Sequence, residues 1–266
     1  MTTSISDISQ ELYTALVNKK TLTPITTEFP NFSIDDAYEV SKQFLAKRIN
    51  NGEKVIGKKI GVTSKVVQEM LGVHQPDFGF LTDAMQVKNG SQVDLASLIQ
   101  PRAEAEIAFI LSESLNGPGI TRDDVISATS AIVPCFEIVD SRINNWEIKI
   151  QDTIADNASC GIFCLSEAYV DPKKFDLALL EATVFKNGTQ ISSGLGSAVQ
   201  GHPAEAVAWL ANTLGNYGIS LDEGDIILSG SLVPLEPIIS GDQFSMEIRS
   251  EEHTSELQSR PHISYA

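Results

Sequence analysis

Residues 101–111 read Pro-Arg-Ala-Glu-Ala-Glu-Ile-Ala-Phe-Ile-Leu. Successive side chains of a strand point to opposite faces. Ala103, Ala105, Ile107, Phe109 and Leu111 then make an apolar face suited to a core. Glu104 and Glu106 share the other face, about 7 Å apart along the strand. Two neighbouring carboxylates raise each other's pKa unless positive charge lies between them. A hard divalent cation would supply that charge. A solvated strand face would also carry a Glu-x-Glu pair, so the segment alone leaves both readings open.

A second segment adds a third acid. Ala131-Ile-Val-Pro-Cys-Phe-Glu-Ile-Val-Asp140 is apolar except for Glu137 and the closing Asp140. Burying a lone carboxylate is costly, so Glu137 needs a partner, either a cation or a Lys or Arg side chain. Three carboxylates without a Cys or His cluster suit Mg²⁺ or Mn²⁺ better than zinc. Lys59 lies in the Gly-punctuated, strand-like run 54–62, where it faces either a pocket or solvent. Asp77 falls in a Pro-Asp-Phe-Gly stretch read as a loop, a common setting for catalysis and for simple turn formation alike. Asp156-Asn157-Ala-Ser159 offers polar groups for ligand support or for capping a turn. His74 and His202 have no partner at a recognisable spacing and read as structural.

Composition narrows the classes further. The chain has 266 residues, 42% of them hydrophobic, and a formal net charge of -16. That suits a single large domain, or one domain with a helical preface. The absence of a basic stripe argues against a nucleic-acid partner. No apolar run suits a signal peptide or a membrane span. Cys135, Cys160 and Cys164 form no Cys-x-x-Cys motif and read as buried thiols in a reducing cytoplasm. Asp77-Phe-Gly79 lacks the other kinase motifs, and Gly194-Leu-Gly196 lacks the third glycine of a dinucleotide fingerprint.

Periodicity predicts helices from Ile5, Ile8, Leu12, Ala15 and Leu16, and from Ala37, Val40, Phe44, Leu45 and Ile49 after a Ser33/Asp36 capping box. Ser64 begins a short helix, and a further helix runs from Pro203 towards Gly218. Strands are expected around 103–111, 132–139, 183–186, 225–228 and 244–248, with an Asn187-Gly188 hairpin turn. Strands and helices without regular alternation imply an α+β fold with a strongly curved sheet. The expected division is a helical segment at 1–53 and a catalytic domain at 54–248. Residues 249–266 break the strand alternation and resemble a translated sequencing-adapter fragment, so they are set apart as a non-native tail.

Five ordered motifs converge on one family: Lys58-Lys-Ile-Gly-Val-Thr-Ser-Lys65, Gln75-Pro-Asp-Phe-Gly79, Pro101-Arg-Ala-Glu-Ala-Glu106, Phe136-Glu-Ile-Val-Asp-Ser-Arg142 and Ala155-Asp-Asn-Ala-Ser159. Together they resemble the 2-oxopent-4-enoate (2-hydroxypenta-2,4-dienoate) hydratases. These are sisters of 4-oxalocrotonate decarboxylase within the fumarylacetoacetate hydrolase-like superfamily. Residues 226–237, Ile-Ile-Leu-Ser-Gly-Ser-Leu-Val-Pro-Leu-Glu-Pro, are more similar to the hydratases than to the decarboxylase. The resemblance implies a mixed β-roll and a cytoplasmic homo-oligomer able to associate with 4-oxalocrotonate decarboxylase. It implies Glu104, Glu106 and Glu137 as ligands of Mg²⁺ or Mn²⁺, and Lys59 and Asp77 as active-site residues. Asn157, Ser159 and Ser231 are further candidates for supporting the ligands or the substrate. The implied reaction hydrates a 2-hydroxydienoate formed in aromatic ring degradation. The sister decarboxylation and a non-catalytic metal-binding subunit are the alternatives. The Gly-x-Gly-Ser turn and last apolar strand usual in the family are missing after Ile248.

Overall fold

The computed structural model describes residues 4–250, 253–257 and 262–265. The chain begins with α1 (Ile5–Asn18), α2 (Ile25–Glu28) and α3 (Ile34–Asn50). Capping boxes open α1 at Ser4/Asp7 and α3 at Ser33/Asp36, satisfying amides that the first turn leaves unpaired. Ile8, Leu12 and Ala15 of α1 are buried, as are Ala37, Val40, Phe44 and Leu45 of α3. Ile49 departs from the expected stripe and is 45% exposed.

Then follow β1 (Val55–Gly61), α4 (Lys65–Leu71), β2 (Asp77–Thr82), β3 (Gln86–Val87), β4 (Gln92–Val93) and β5 (Arg102–Leu111). Next are α5 (Arg122–Ala128), β6 (Thr129–Val139), α6 (Ile150–Ala155), β7 (Cys160–Leu165), β8 (Glu181–Lys186) and β9 (Thr189–Leu195). The chain continues through α7 (Pro203–Gly215), β10 (Ile226–Ser231), β11 (Glu236–Pro237), β12 (Gln243–Ser250), β13 (His253–Leu257) and β14 (His262–Tyr265).

Two sheets carry the core. One has the order β2-β1-β10-β5-β6-β7-β3, with β11 on β5; the other has the order β4-β14-β12-β8-β9, with β13 on β12. β1 pairs parallel with β10, whereas β5 runs antiparallel to both β10 and β6. The sheets are therefore mixed, matching the α+β class expected from the sequence. Phe136 of β6 and Phe244 of β12 join the sheets edge to face at 6.2 Å. The same apolar cluster takes in Leu12, Val40 and Phe44, so the N-terminal helices share one core with the strands. Among the described residues no helix is long and apolar enough to cross a membrane.

Three local expectations change. Asp77 is the first residue of β2, paired with Gly61 of β1, rather than a loop residue. Pro76 and Gly79 hid that strand, because both residue types usually break one. β7 was not among the expected strands, because its six residues do not alternate: Cys160, Phe163, Cys164 and Leu165 are all buried. A last apolar strand was not visible after Ile248, yet β14 lies between β12 and β4 with Ile263 and Tyr265 buried. The Asn187-Gly188 turn is present, with φ of 54° and 78° as a two-residue hairpin requires.

The segment joining β6 to β7 is fixed by one buried ion pair. Arg142 is fully buried, and its Nε donates to Asp156 Oδ1 at 2.5 Å. Its Nη1 donates to the carbonyls of Asp140 and Cys160 at 2.6 and 2.7 Å, and its Nη2 to the carbonyl of Asp156 at 2.5 Å. The guanidinium thus holds both ends of the β6–α6–β7 connection. Removing one partner of such a pair strands the other in a dry interior. Arg142→Met is expected to lower the unfolding free energy by about 3–5 kcal/mol, measured by urea denaturation; a loss below about 1 kcal/mol would reduce the pair to a surface-like contribution.

Candidate metal centre and active-site cavity

Strand register brings the acids together. Glu104 of β5 sits directly opposite Glu137 of β6, and Glu106, two residues along β5, falls on the same face. Like charges placed opposite each other across a ladder repel. Ligand atoms from all three residues lie within 4.8 Å of one another. Glu106 and Glu137 are each 1% exposed, while Glu104 keeps partial access to the adjoining cavity. Glu106 Oε2 accepts a hydrogen bond from the Gly230 amide at 2.8 Å. Among the described residues its other oxygen and both Glu137 oxygens have no hydrogen-bond partner.

Lys59 is the cation facing this cluster. It is 3% exposed, and its Nζ lies 3.2 Å from Glu137 Oε1, an ion pair without hydrogen-bond geometry. Alternation along β1 sends Lys58 to the other face, where it pairs with Asp225. Burial alone would depress Lys59, but the facing negative charges, Glu137 foremost, hold its pKa above the ordinary value. Burial raises all three glutamates. Glu104 is pushed up to about 7, with Glu137 adding repulsion and Lys59 opposing it. Glu106 is raised well above the usual range, with Glu137 and Glu104 contributing after burial. Glu137 is raised by burial against the pull of Lys59. One lysine therefore does not compensate three buried acids. Unpaired, all-oxygen donors at this spacing fit a hard divalent cation.

Asp77 enters the same region from β2. It is 1% exposed; Oδ2 accepts from the Thr153 hydroxyl at 3.2 Å, and Oδ1 has no partner. Burial raises its pKa and the Lys59 charge opposes the rise. Gly61 makes its placement possible, because a Cβ there would sit 2.2 Å from Asp77 Oδ1. Gly230, at φ 108°, has a parallel role: a Cβ would strike Thr63, and the bare backbone brings its amide onto Glu106.

A cavity of about 350 Å³ joins these groups. Lys59, Asp77, Glu104 and Ser159 line it, together with an apolar wall that includes Val62, Val139, Ile148 and Leu235. The Ser159 hydroxyl is buried without a partner. Asn157 does not reach the cavity. Its amide exchanges two hydrogen bonds with the Phe80 backbone, at 2.8 and 3.0 Å, and ties the turn after α6 to β2. Asn157, Ala158 and Ser159 all have φ near +50°, a strained left-handed turn that this clamp and Arg142 hold in place. Ser231 lies in register with Glu106, but its hydroxyl donates to the Val233 carbonyl at 2.7 Å. His202 caps α7, accepting from the Ala204 amide. Thr153, Arg102 and Trp146 were not singled out from the sequence; of these, only Arg102 had a visible signal, its alternation with Glu104 and Glu106.

Comparison with known proteins gives concordant results. Residues 57–260 match the model of the fumarylacetoacetate (FAA) hydrolase C-terminal family. A 2-hydroxyhexa-2,4-dienoate hydratase of Comamonas testosteroni is 60% identical over 241 residues, covering 90% of this chain and 91% of that protein. A 2-hydroxypent-2,4-dienoate hydratase of Pseudomonas putida is 55% identical, covering 82% and 99%. The solved 4-oxalocrotonate decarboxylase from Pseudomonas putida G7, complexed with magnesium and adipate, superposes with a TM-score of 0.93 at 30% identity, covering 98% and 97%. The chain belongs to the fumarylacetoacetate hydrolase superfamily, within the hydratase and decarboxylase family that contains the 2-hydroxydienoate hydratases.

Proposed function

We propose that this protein is a divalent-metal-dependent hydro-lyase. It converts 2-hydroxypenta-2,4-dienoate (2-oxopent-4-enoate) to 4-hydroxy-2-oxopentanoate in the meta-cleavage breakdown of aromatic compounds. The observation that carries the reading is the clustering of three carboxylates against Lys59, beside a cavity that Lys59, Asp77 and Glu104 line. Similarity to hydratases at 55% and 60% identity supports the reaction. Glu104, Glu106 and Glu137 are the ligands in this reading, and Mg²⁺ or Mn²⁺ is the metal. When bound, the cation supplies Lewis-acid polarisation of a 2-oxo acid and a template for its orientation.

The chain's own groups account for the proton movements. Asp77 lines the cavity with one oxygen held by Thr153 and the other without a hydrogen-bond partner among the described residues, so it can carry a proton between defined positions. Loss of the C2 enol O–H proton and delivery of a proton to C5 convert the dienol to its isomer 2-oxopent-3-enoate. Water then adds its oxygen at C4 and a proton reaches C3, giving the 4-hydroxy-2-oxo acid. Lys59 places positive charge beside the oxygen at C2, where negative charge develops. The apolar wall limits water to the reacting molecule. A homo-oligomer, and association with 4-oxalocrotonate decarboxylase, belong to the same proposal.

Asp77→Asn is expected to lower kcat about 10²–10⁴-fold, followed by the loss of dienol absorbance; an unchanged kcat would remove Asp77 from proton transfer. The same assay separates the alternatives, because CO₂ release from a dicarboxylic dienol would indicate the sister decarboxylation and no turnover a silent subunit. Adding Mg²⁺ to metal-free protein is expected to raise Tm, by mass action on the folded state. Glu106→Gln is expected to abolish that rise, yet to leave the metal-free protein at least as stable as the parent, since it removes an unpaired buried charge. A glutamine variant that loses metal-free stability and keeps the full Mg²⁺ response would overturn the ligand assignment.

A further inference from the structure

Arg102 has no role in the scheme above, yet it continues the row of Glu104 and Glu106 on β5 and lines the same cavity. Its guanidinium lies 4.7 Å from the Trp146 ring centroid. Among the described residues no acid lies within ion-pair distance of it, and its side chain makes no hydrogen bond. This differs from the other cavity cation, Lys59, which is already paired with Glu137. Trp146 is itself held in place. Asn145 and Trp146 have φ of 54° and 58°, a conformation that bulky residues seldom adopt. The indole Nε1–H anchors the ring by donating to the Gln100 carbonyl at 3.0 Å. Both Arg102 and Trp146 also line an outer groove of about 630 Å³, so the stacked pair forms the wall between groove and cavity.

A carboxylate entering this cavity meets Glu104 and Asp77 in its wall, with Glu106 and Glu137 clustered behind Glu104. One lysine and one divalent cation still leave that cluster with an anionic excess, so an anionic substrate needs a further, unspent positive charge. A guanidinium pre-oriented on an aromatic face is suited to it, because its planar fork matches a carboxylate bidentately at little entropic cost.

We infer that Arg102, stacked on Trp146, is the carboxylate-binding residue for the C1 carboxylate of the 2-oxo acid substrate. The inference rests on the proposed dienoate hydration and assigns the anion contact to Arg102 rather than Lys59, which is left to act at the C2 oxygen. Arg102 then attracts the substrate at the groove and fixes its orientation in the cavity. Trp146 is a positioning residue that acts through Arg102.

The test combines kinetics with a binding measurement that needs no turnover. Arg102→Met is expected to raise KM for the dienoate about 10- to 100-fold, the loss typical of a charge-assisted pair, with kcat changed less than about threefold. It is expected to weaken pyruvate binding to the Mg²⁺-loaded protein, read by calorimetry, by a similar factor. Arg102→Lys keeps the charge but not the fork and is expected to fall between; Trp146→Phe keeps a ring and is expected to raise KM only a few-fold. The Mg²⁺-induced rise in Tm reports whether each variant retains its fold and metal site, and is expected to be unchanged. Unaltered pyruvate affinity in Arg102→Met would overturn the inference, as would a variant that loses affinity only for a dicarboxylate such as adipate. If the parent protein hydrates no dienol but binds pyruvate through Arg102, the hydration reading fails and the anion site stands.

Discussion

The organising constraint is electrostatic repulsion among Glu104, Glu106 and Glu137 on one face of β5 and β6. Antiparallel register places Glu104 against Glu137, with Glu106 next along the same face. Among the described residues only Lys59 forms an ion pair with the cluster, at 3.2 Å from Glu137. A structure that keeps several buried carboxylate oxygens without hydrogen bonds gives up stability that an apolar core would have retained. On the proposed reading the arrangement is a site held ready for a cation, with the same unpaired oxygens as its ligands.

Much of the remaining fold serves to keep that face rigid. Arg142 and Asp156 fix the β6–β7 connection, and Asn157 ties it to β2. That linkage sets both Asp77 and the cavity-facing Ser159. Gly61 and Gly230 leave room where a Cβ would displace Asp77 or lift an amide from Glu106. The N-terminal helices belong to the same core, with Phe44 of α3 lying under the Arg142 guanidinium at 5.6 Å. Stability and site geometry therefore share residues, and substitutions in the β6–β7 connection should affect both.

The sequence made part of this legible. Alternation along 101–111 put Glu104 and Glu106 on one face, and the apolar setting of Glu137 called for a partner, but it was the resemblance that joined the three as one ligand set. The two capping boxes and the Asn187-Gly188 hairpin were equally plain, each resting on local chemistry. Residues whose role depends on long-range packing were less visible. Lys59 and Asp77 were equivocal on pattern and gained their roles from resemblance, since their burial depends on strands far apart in sequence. Asn157 and Ser231 were grouped with Ser159, but a side chain that turns back on the backbone cannot be told from one that faces a cavity without coordinates. β14 lacked any apolar run, and its placement comes from pairing with β12 and β4.

Crystals grown with Mn²⁺, with diffraction recorded at the manganese absorption edge, would locate the cation. One strong anomalous peak per chain is expected among the carboxylates of Glu104, Glu106 and Glu137, within bonding distance of all three. A peak elsewhere, or none at saturating Mn²⁺ with the three side chains still clustered, would contradict the ligand assignment.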